Sequence, residues 1–149
     1  MTTLLYLVRH GETDWNAQRR IQGSTDIPLN DTGRRQAAEA AELLTRRPFD
    51  AVVASPLSRA AETGAIIADR LGLDAPTTYP GLAERSYGEA EGLTDDEVSA
   101  RYPHDDIPGR ESRSALLARV TETLGEIAVR FDAGVVVVAT HGAVIRSVV

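Results

Sequence analysis

The amino-acid sequence predicts an α/β sandwich with a largely parallel central sheet. Three observations lead there. Short apolar runs at Leu4–Val8, Ala51–Ala54 and Val135–Ala139 each end abruptly in a polar loop. Segments of helical period lie between them. The last run is nearly unbroken in β-branched residues, as a central strand covered on both faces requires.

Taken in order, Leu4–Val8 is the first strand and stops at Arg9-His10-Gly11. A helix starts near Asp31-Thr32-Gly33, carries Ala37, Ala40, Ala41 and Leu44 on one face and closes before Pro48. Ala51–Ala54 is the second strand. Ser58 is expected to cap a helix running to Leu71, with Gly72 as its stop. The pattern weakens from Pro76 to Gly92, where only a brief strand near Thr77–Tyr79 is expected. Thr94 and Glu97 form a capping box for a short helix, 95–101, ended by Pro103. Leu116, Leu117, Val120, Leu124, Ile127 and Ala128 mark one face of a helix from about Ser112 to Arg130. After the Val135–Ala139 strand, His141-Gly142 opens a further helix in which the chain stops.

The 149 residues fit one domain, 1–149, with 42% hydrophobic and 26% charged residues. A net charge of -6 disfavours nucleic acid as a partner, so an anionic ligand has to be small and met by a local cation cluster. Every basic residue is arginine, which excludes P-loop and Schiff-base lysine chemistry. Cysteine is absent, which excludes thiol nucleophiles, thiolate zinc sites and disulfides. The amino-terminal residues fit neither a signal peptide nor a membrane span, so the expected location is cytoplasmic, with no membrane partner.

His10, Arg59 and His141 all fall at or just beyond strand carboxyl ends, where ligand sites assemble in open α/β sheets. A phosphate monoester needs donors around its oxygens, a group that attacks phosphorus and an acid for the leaving oxygen. A neutral imidazole at His10 can attack without a partner base, Arg9 and Arg59 offer planar forks, and a protonated His141 is expected to donate to the developing charge. With three histidines and no His-Glu-x-x-His or Asp-x-Asp pattern, no metal and no cofactor are expected.

The run Leu7-Val8-Arg9-His10-Gly11-Glu12-Thr13-Asp14-Trp15-Asn16 closely resembles the signature of the histidine phosphatase superfamily, the phosphoglycerate mutase-like proteins. Further matches follow in order: Gln22-Gly23, Asp26, Pro28-Leu29, Gly33, Gln36-Ala37, Ser55-Pro56-Leu57-Ser58-Arg59-Ala60, Thr63, Leu82-Ala83-Glu84, Gly88, Glu91-Gly92, Glu111-Ser112 and His141-Gly142. The resemblance implies a three-layer α/β/α sandwich. It implies that His10 is phosphorylated, that Arg9, Arg59 and His141 complete the phosphate pocket, and that Glu84 is the proton donor. Asn16, Gln22, Gly23 and the Gly142 N–H match positions that touch the substrate phosphate. Family members continue with another strand and helix, which are expected to be missing here.

Glu89 and Glu91 lie near Glu84, and an acidic loop is normally solvated surface. His104 and the Arg19-Arg20 pair read as surface. The activity implied is a phosphatase acting on a small phosphorylated metabolite. Two alternatives stand beside it: a phosphoglycerate mutase, whose usual insertion between Glu84 and His141 is absent here, and a catalytically impaired phosphate-binding protein. The natural substrate is left open, as is the oligomeric state, a dimer being allowed.

Overall fold

A computed structural model describes residues 2–149. Four parallel strands, β1 (Leu4–Arg9), β2 (Ala51–Ala54), β3 (Thr77–Thr78) and β4 (Val135–Thr140), form one sheet in the order β1-β4-β2-β3. The helices are α1 (Asp14–Ala17), α2 (Asp31–Leu44), α3 (Ser58–Leu71), α4 (Asp95–Arg101), α5 (Arg113–Arg130) and α6 (Gly142–Val148). No helix among the described residues is long and apolar enough to cross a membrane.

β4 is the doubly covered centre its composition predicts. Val137 joins Val52, Ala41, Ile67 and Ala68 in a cluster under α2 and α3, while Val136 and Val138 join Val53, Leu82 and Ile127 under α5. Successive side chains therefore feed opposite layers, which gives the expected three-layer sandwich. Leu116 and Val120 of α5 pack on Ala143 and Val144 of α6, fixing the entry to α6 beside the end of β4.

Two local expectations need correction. Ser58 does not cap α3: it is the first helical residue, and its N–H and hydroxyl both donate to the Asp26 carboxylate, at 2.7 and 3.0 Å. The cap is thus supplied by a side chain 32 residues earlier, which no local motif reveals. The segment read as polar loop after Gly11 contains α1, capped by Thr13 in a reciprocal box with Asn16 where Glu or Gln is the usual partner. The capping box at Thr94 and Glu97 and the left-handed Gly72 stop are as expected.

Candidate active site

The strand order brings the carboxyl ends of β1, β4 and β2 side by side. Arg9 pairs with Thr140 in the parallel ladder, so the next residues, His10 and His141, leave adjacent strands at the same level. Their rings meet edge-on with centroids 5.2 Å apart. Ser55 leaves β2 on the other side of His141, and α3 begins three residues later with Arg59 in its first turn. The sheet register thus brings two imidazoles together, and the turn from β2 into α3 adds a guanidinium from a third part of the chain.

Each group is held by a short chain of bonds. His10 Nδ1 lies 2.6 Å from the Gly11 carbonyl oxygen. A carbonyl only accepts, so Nδ1 carries the proton and the lone pair of the neutral ring is on Nε2. The Gly11 N–H donates to the Thr63 hydroxyl (3.2 Å), which donates to the Arg59 carbonyl (2.7 Å). Gly11 and Gly33 allow this loop to lie directly on the first turn of α2: a Cβ on Gly11 would sit 2.2 Å from the Gly33 carbonyl oxygen. Arg59 is 1% exposed and donates to the carbonyls of Thr25 (2.7 Å) and Gly23 (2.6 Å). Gly23 has φ +54°, and a side chain there would run into the Glu91 carboxylate, which itself accepts from the Ser24 N–H and the Tyr87 N–H. Glu91 is therefore an anchor for the 23–25 loop and not a free acid.

His141 Nε2 is 2.7 Å from the Ser55 oxygen, which also accepts the Leu57 N–H at 3.2 Å. Two buried side-chain atoms lack a hydrogen-bond partner among the described residues: His141 Nδ1 and Arg59 Nε. Buried donors are almost always satisfied, so two bare nitrogens on neighbouring groups mark a place built for an acceptor.

Burial lowers the pKa of His10 to about 4; the bond to Gly11 opposes this, and Arg59 and Arg9 push the same way as burial. Burial lowers His141 to about 2, helped by Arg59, His10, Arg119 and Arg9. Burial thus favours the neutral form of both rings in the site without an anion, where the sequence alone suggested a protonated His141.

Glu84 sits in an irregular stretch following a 3₁₀ turn at Pro80–Leu82. Its carboxyl oxygens accept the Arg85 N–H (2.9 Å) and, from the first turn of α6, the Ala143 N–H (3.1 Å). This ties it to the segment that carries His141 and Gly142. The residue that holds the Glu84 loop is one the sequence did not single out. Arg119 on α5 makes five hydrogen bonds, to the carbonyls of Gly81, Ala83 and Glu84 and twice to the Glu111 carboxylate. Five is the full donor capacity of a guanidinium. Glu111 also accepts the Ser86 N–H, and its pairing with Arg119 holds its carboxyl below the usual carboxylate range.

Arg9 ends β1 exposed, beside Gly142. The Thr13 N–H donates to Asn16 Oδ1 and its hydroxyl to Gln22 Oε1, which leaves the NH₂ end of each amide for other acceptors. His104 is exposed in the loop after α4, and Arg20 donates to the Gly92 carbonyl and to Glu97, so its place is structural. Among the described residues no three His, Asp or Glu side chains gather as metal ligands.

Residues 5–149 match the model of the histidine phosphatase superfamily (branch 1). An uncharacterized phosphatase, PhoE, of Bacillus subtilis (strain 168) is 41% identical over 145 residues, covering 97% of this chain and 75% of that protein. A metal-independent phosphoserine phosphatase of Arabidopsis thaliana is 38% identical over 160 residues, covering 98% and 67%. The structure of a mycobacterial glucosyl-3-phosphoglycerate phosphatase superposes with a TM-score of 0.88 at 31% identity, over 96% of this chain and 76% of that one. By sequence along almost its whole length, and by fold, this chain belongs to the histidine phosphatase superfamily.

Proposed function

We propose that the protein hydrolyses small phosphate monoesters through a phosphohistidine on His10, without a metal. One observation carries this reading. The His10 proton is committed to the Gly11 carbonyl, which leaves Nε2 with the lone pair, and the ring meets that of His141, whose Nδ1 is, with Arg59 Nε, one of two buried nitrogens without a partner among the described residues.

In the first half-reaction Nε2 attacks phosphorus in line, a P–N bond forms and the P–O bond to the alcohol breaks. Glu84 gives its proton to the departing oxygen. Arg9, Arg59 and His141 hold the three remaining oxygens as charge shifts onto them. In this reading the Ser55 hydroxyl, 2.7 Å from His141 Nε2, donates to it and the ring proton sits on Nδ1, so His141 acts as a neutral donor. Asn16, Gln22, Gly23 and the Gly142 N–H complete the cradle. In the second half-reaction Glu84, now a carboxylate, takes a proton from water, the water oxygen attacks phosphorus and the P–N bond breaks. Phosphate leaves, and His10 and the acid are restored. The site acts on a soluble metabolite in the cytoplasm.

The test is turnover of p-nitrophenyl phosphate by the wild-type chain, His10→Ala and Glu84→Gln, with acid quench to capture phosphoprotein. His10→Ala is expected to lose at least about 10⁴-fold and to trap nothing. Glu84→Gln is expected to lose about 10²–10⁴-fold on an alkyl phosphate and less on p-nitrophenyl phosphate, whose leaving group needs little protonation. Activity should survive EDTA and fall under vanadate. Loss with EDTA, or full activity in His10→Ala, overturns the mechanism. Turnover that moves phosphate between hydroxyls faster than it releases phosphate makes the chain a mutase, and a wild type that binds phosphate without turnover makes it a binding protein.

A further inference from the structure

The turn at 23–25 and the stretch 87–94 lie against each other. The Ile21 carbonyl accepts the Gly92 N–H at 2.7 Å, and the Ile21 N–H donates to the Leu93 carbonyl at 2.9 Å. This short ladder brings the half-buried Glu91 to the turn, and its carboxylate takes bonds from both segments. From the turn it accepts the Ser24 N–H (3.0 Å), the Ser24 hydroxyl (3.2 Å) and the Thr25 hydroxyl; from its own stretch it accepts the Tyr87 N–H (2.9 Å). A carboxylate offers about four lone-pair positions, so Glu91 is saturated and serves the two segments at once.

The turn in its place holds Arg59. A guanidinium has five donors, and the two terminal nitrogens of Arg59 each spend one on a carbonyl of the turn, Thr25 at 2.7 Å and Gly23 at 2.6 Å. Two bonds from one planar group set its plane, and with it the direction of the unpartnered Nε. A shift of the turn therefore rotates the fork. Glu91 also reaches Arg59 by charge: burial pushes the guanidinium pKa down, and Glu84, Asp26 and Glu91 oppose it.

The same carboxylate reaches the other half of the site. Tyr87, whose N–H it accepts, follows Glu84 by three residues. A Cβ on Gly23 would lie 2.2 Å from Glu91 Oε2 and 3.1 Å from the Arg85 carbonyl oxygen, so the turn is seated on the backbone next to Glu84. Arg119 holds the carbonyls of that loop, and Glu91 holds an N–H beyond them.

Building on the phosphatase reading, we propose that Glu91 is a positioning residue shared by the two halves of the site: through the 23–25 turn it aims the Arg59 fork at the phosphoryl oxygens, and through Tyr87 it fixes the loop that carries Glu84. The role is one of shape more than of charge. A glutamine in its place offers one oxygen to the two N–H groups and an NH₂ to the hydroxyl oxygens, so it keeps the link. Without any link the Ile21 ladder still joins the segments and Asp26 still ties the turn to α3, so the tip relaxes while the fold stays.

Glu91→Ala, Glu91→Gln and Thr25→Val are compared with the wild type in two measurements. Affinity for inorganic phosphate, by calorimetry, reads the Arg59 half without turnover. The ratio of kcat on glycerol 2-phosphate to kcat on p-nitrophenyl phosphate reads the Glu84 half, because the second leaving group needs little protonation. Glu91→Ala should weaken phosphate binding by about tenfold and lower the ratio by about fivefold or more. Glu91→Gln should recover most of both. Thr25→Val, which cuts a bond on the turn side alone, should weaken phosphate binding by about threefold and leave the ratio as it is. A purely structural role would lower both kcat values equally through the folded fraction and leave the affinity of the folded protein unchanged. Phosphate affinity in Glu91→Ala within about twofold of the wild type, or an equal loss on the two esters, overturns the proposal. If Glu91→Ala does not fold, Thr25→Val decides, and an unchanged phosphate affinity there overturns it. Absence of turnover in the wild type bears on the phosphatase reading, and the phosphate affinities then decide the role of Glu91 alone.

Discussion

On one side of the site His10, Ser55 and His141 leave the ends of β1, β2 and β4, and their positions follow from strand register and from bonds to backbone a few residues away. On the other side Glu84 stands in a stretch, 79–94, whose regular structure is two 3₁₀ turns, and three carbonyls of its loop are held by one guanidinium from α5, 35 residues further along. The difference teaches where each side is vulnerable. The strand-end side is protected by burial and by the core beneath it, and the Glu84 side leans most heavily on one clamp, Arg119.

The sharpest way to break this comparison is to remove the clamp. Arg119→Met leaves three loop carbonyls without donors and Glu111 without its partner. The expected result is a kcat lower by about 10²-fold and a stability loss of about 2 kcal/mol, because the pair is only partly buried. Arg119→Lys keeps the charge but has three donors on one nitrogen, so it should restore less than half of the loss in kcat. Since Arg119 acts through Glu84, its effect on kcat should largely vanish in a Glu84→Gln background. Additive losses in the double variant would show that the clamp serves the fold and not the acid.

These two sides were also unequally legible in the sequence. The strands, their order of use and the convergence of His10, Arg59 and His141 could be read because apolar runs ending in polar loops report strand ends directly. Glu84 could be reached only through resemblance to a family. Arg119 could not be reached at all: Glu111 and Arg119 lie eight residues apart, and nothing in helical spacing says that they jointly hold a loop reached through α5. Asp26, which caps α3 in place of Ser58, was hidden for the same reason. Contacts set by tertiary packing leave no periodic trace, and α1 escaped because four residues are too few for one.

Acid sharpens the comparison from the strand-end side, where two neutral imidazoles are buried. The native pKa values of His10 and His141, about 4 and about 2, lie below the 6.5 of an exposed ring. Between pH 6.5 and 4 the unfolded chain binds more protons than the native one, so stability rises with pH across that window and is lost on acidification. Each histidine contributes a loss of about 2 kcal/mol between pH 6.5 and 5. Urea denaturation at a series of pH values checks this, and His141→Gln should reduce the slope by about half. An unchanged slope in that variant would mean that His141 is not buried as a neutral ring.

The smallest expected effect tests how the strand-end side sets a proton. Ser55→Ala removes the hydroxyl that faces His141 Nε2 without disturbing the backbone register of β2. The ring is then free to place its proton on Nε2, which leaves Nδ1 an acceptor opposite an anion. A loss of about tenfold in kcat/KM is expected, the worth of one weakened donor, with a matching loss of affinity for vanadate. Ser55→Thr, which keeps the hydroxyl, should recover most of both. Nitrogen NMR of the His141 ring supplies a readout that simple packing damage would not move: protonation at Nδ1 in the wild type and in Ser55→Thr, and a shift towards Nε2 in Ser55→Ala. An Nδ1-protonated ring in all three would place the control of this proton in the Arg59 environment and not in Ser55, and the strand-end side would then depend on its guanidinium as closely as the Glu84 side depends on Arg119.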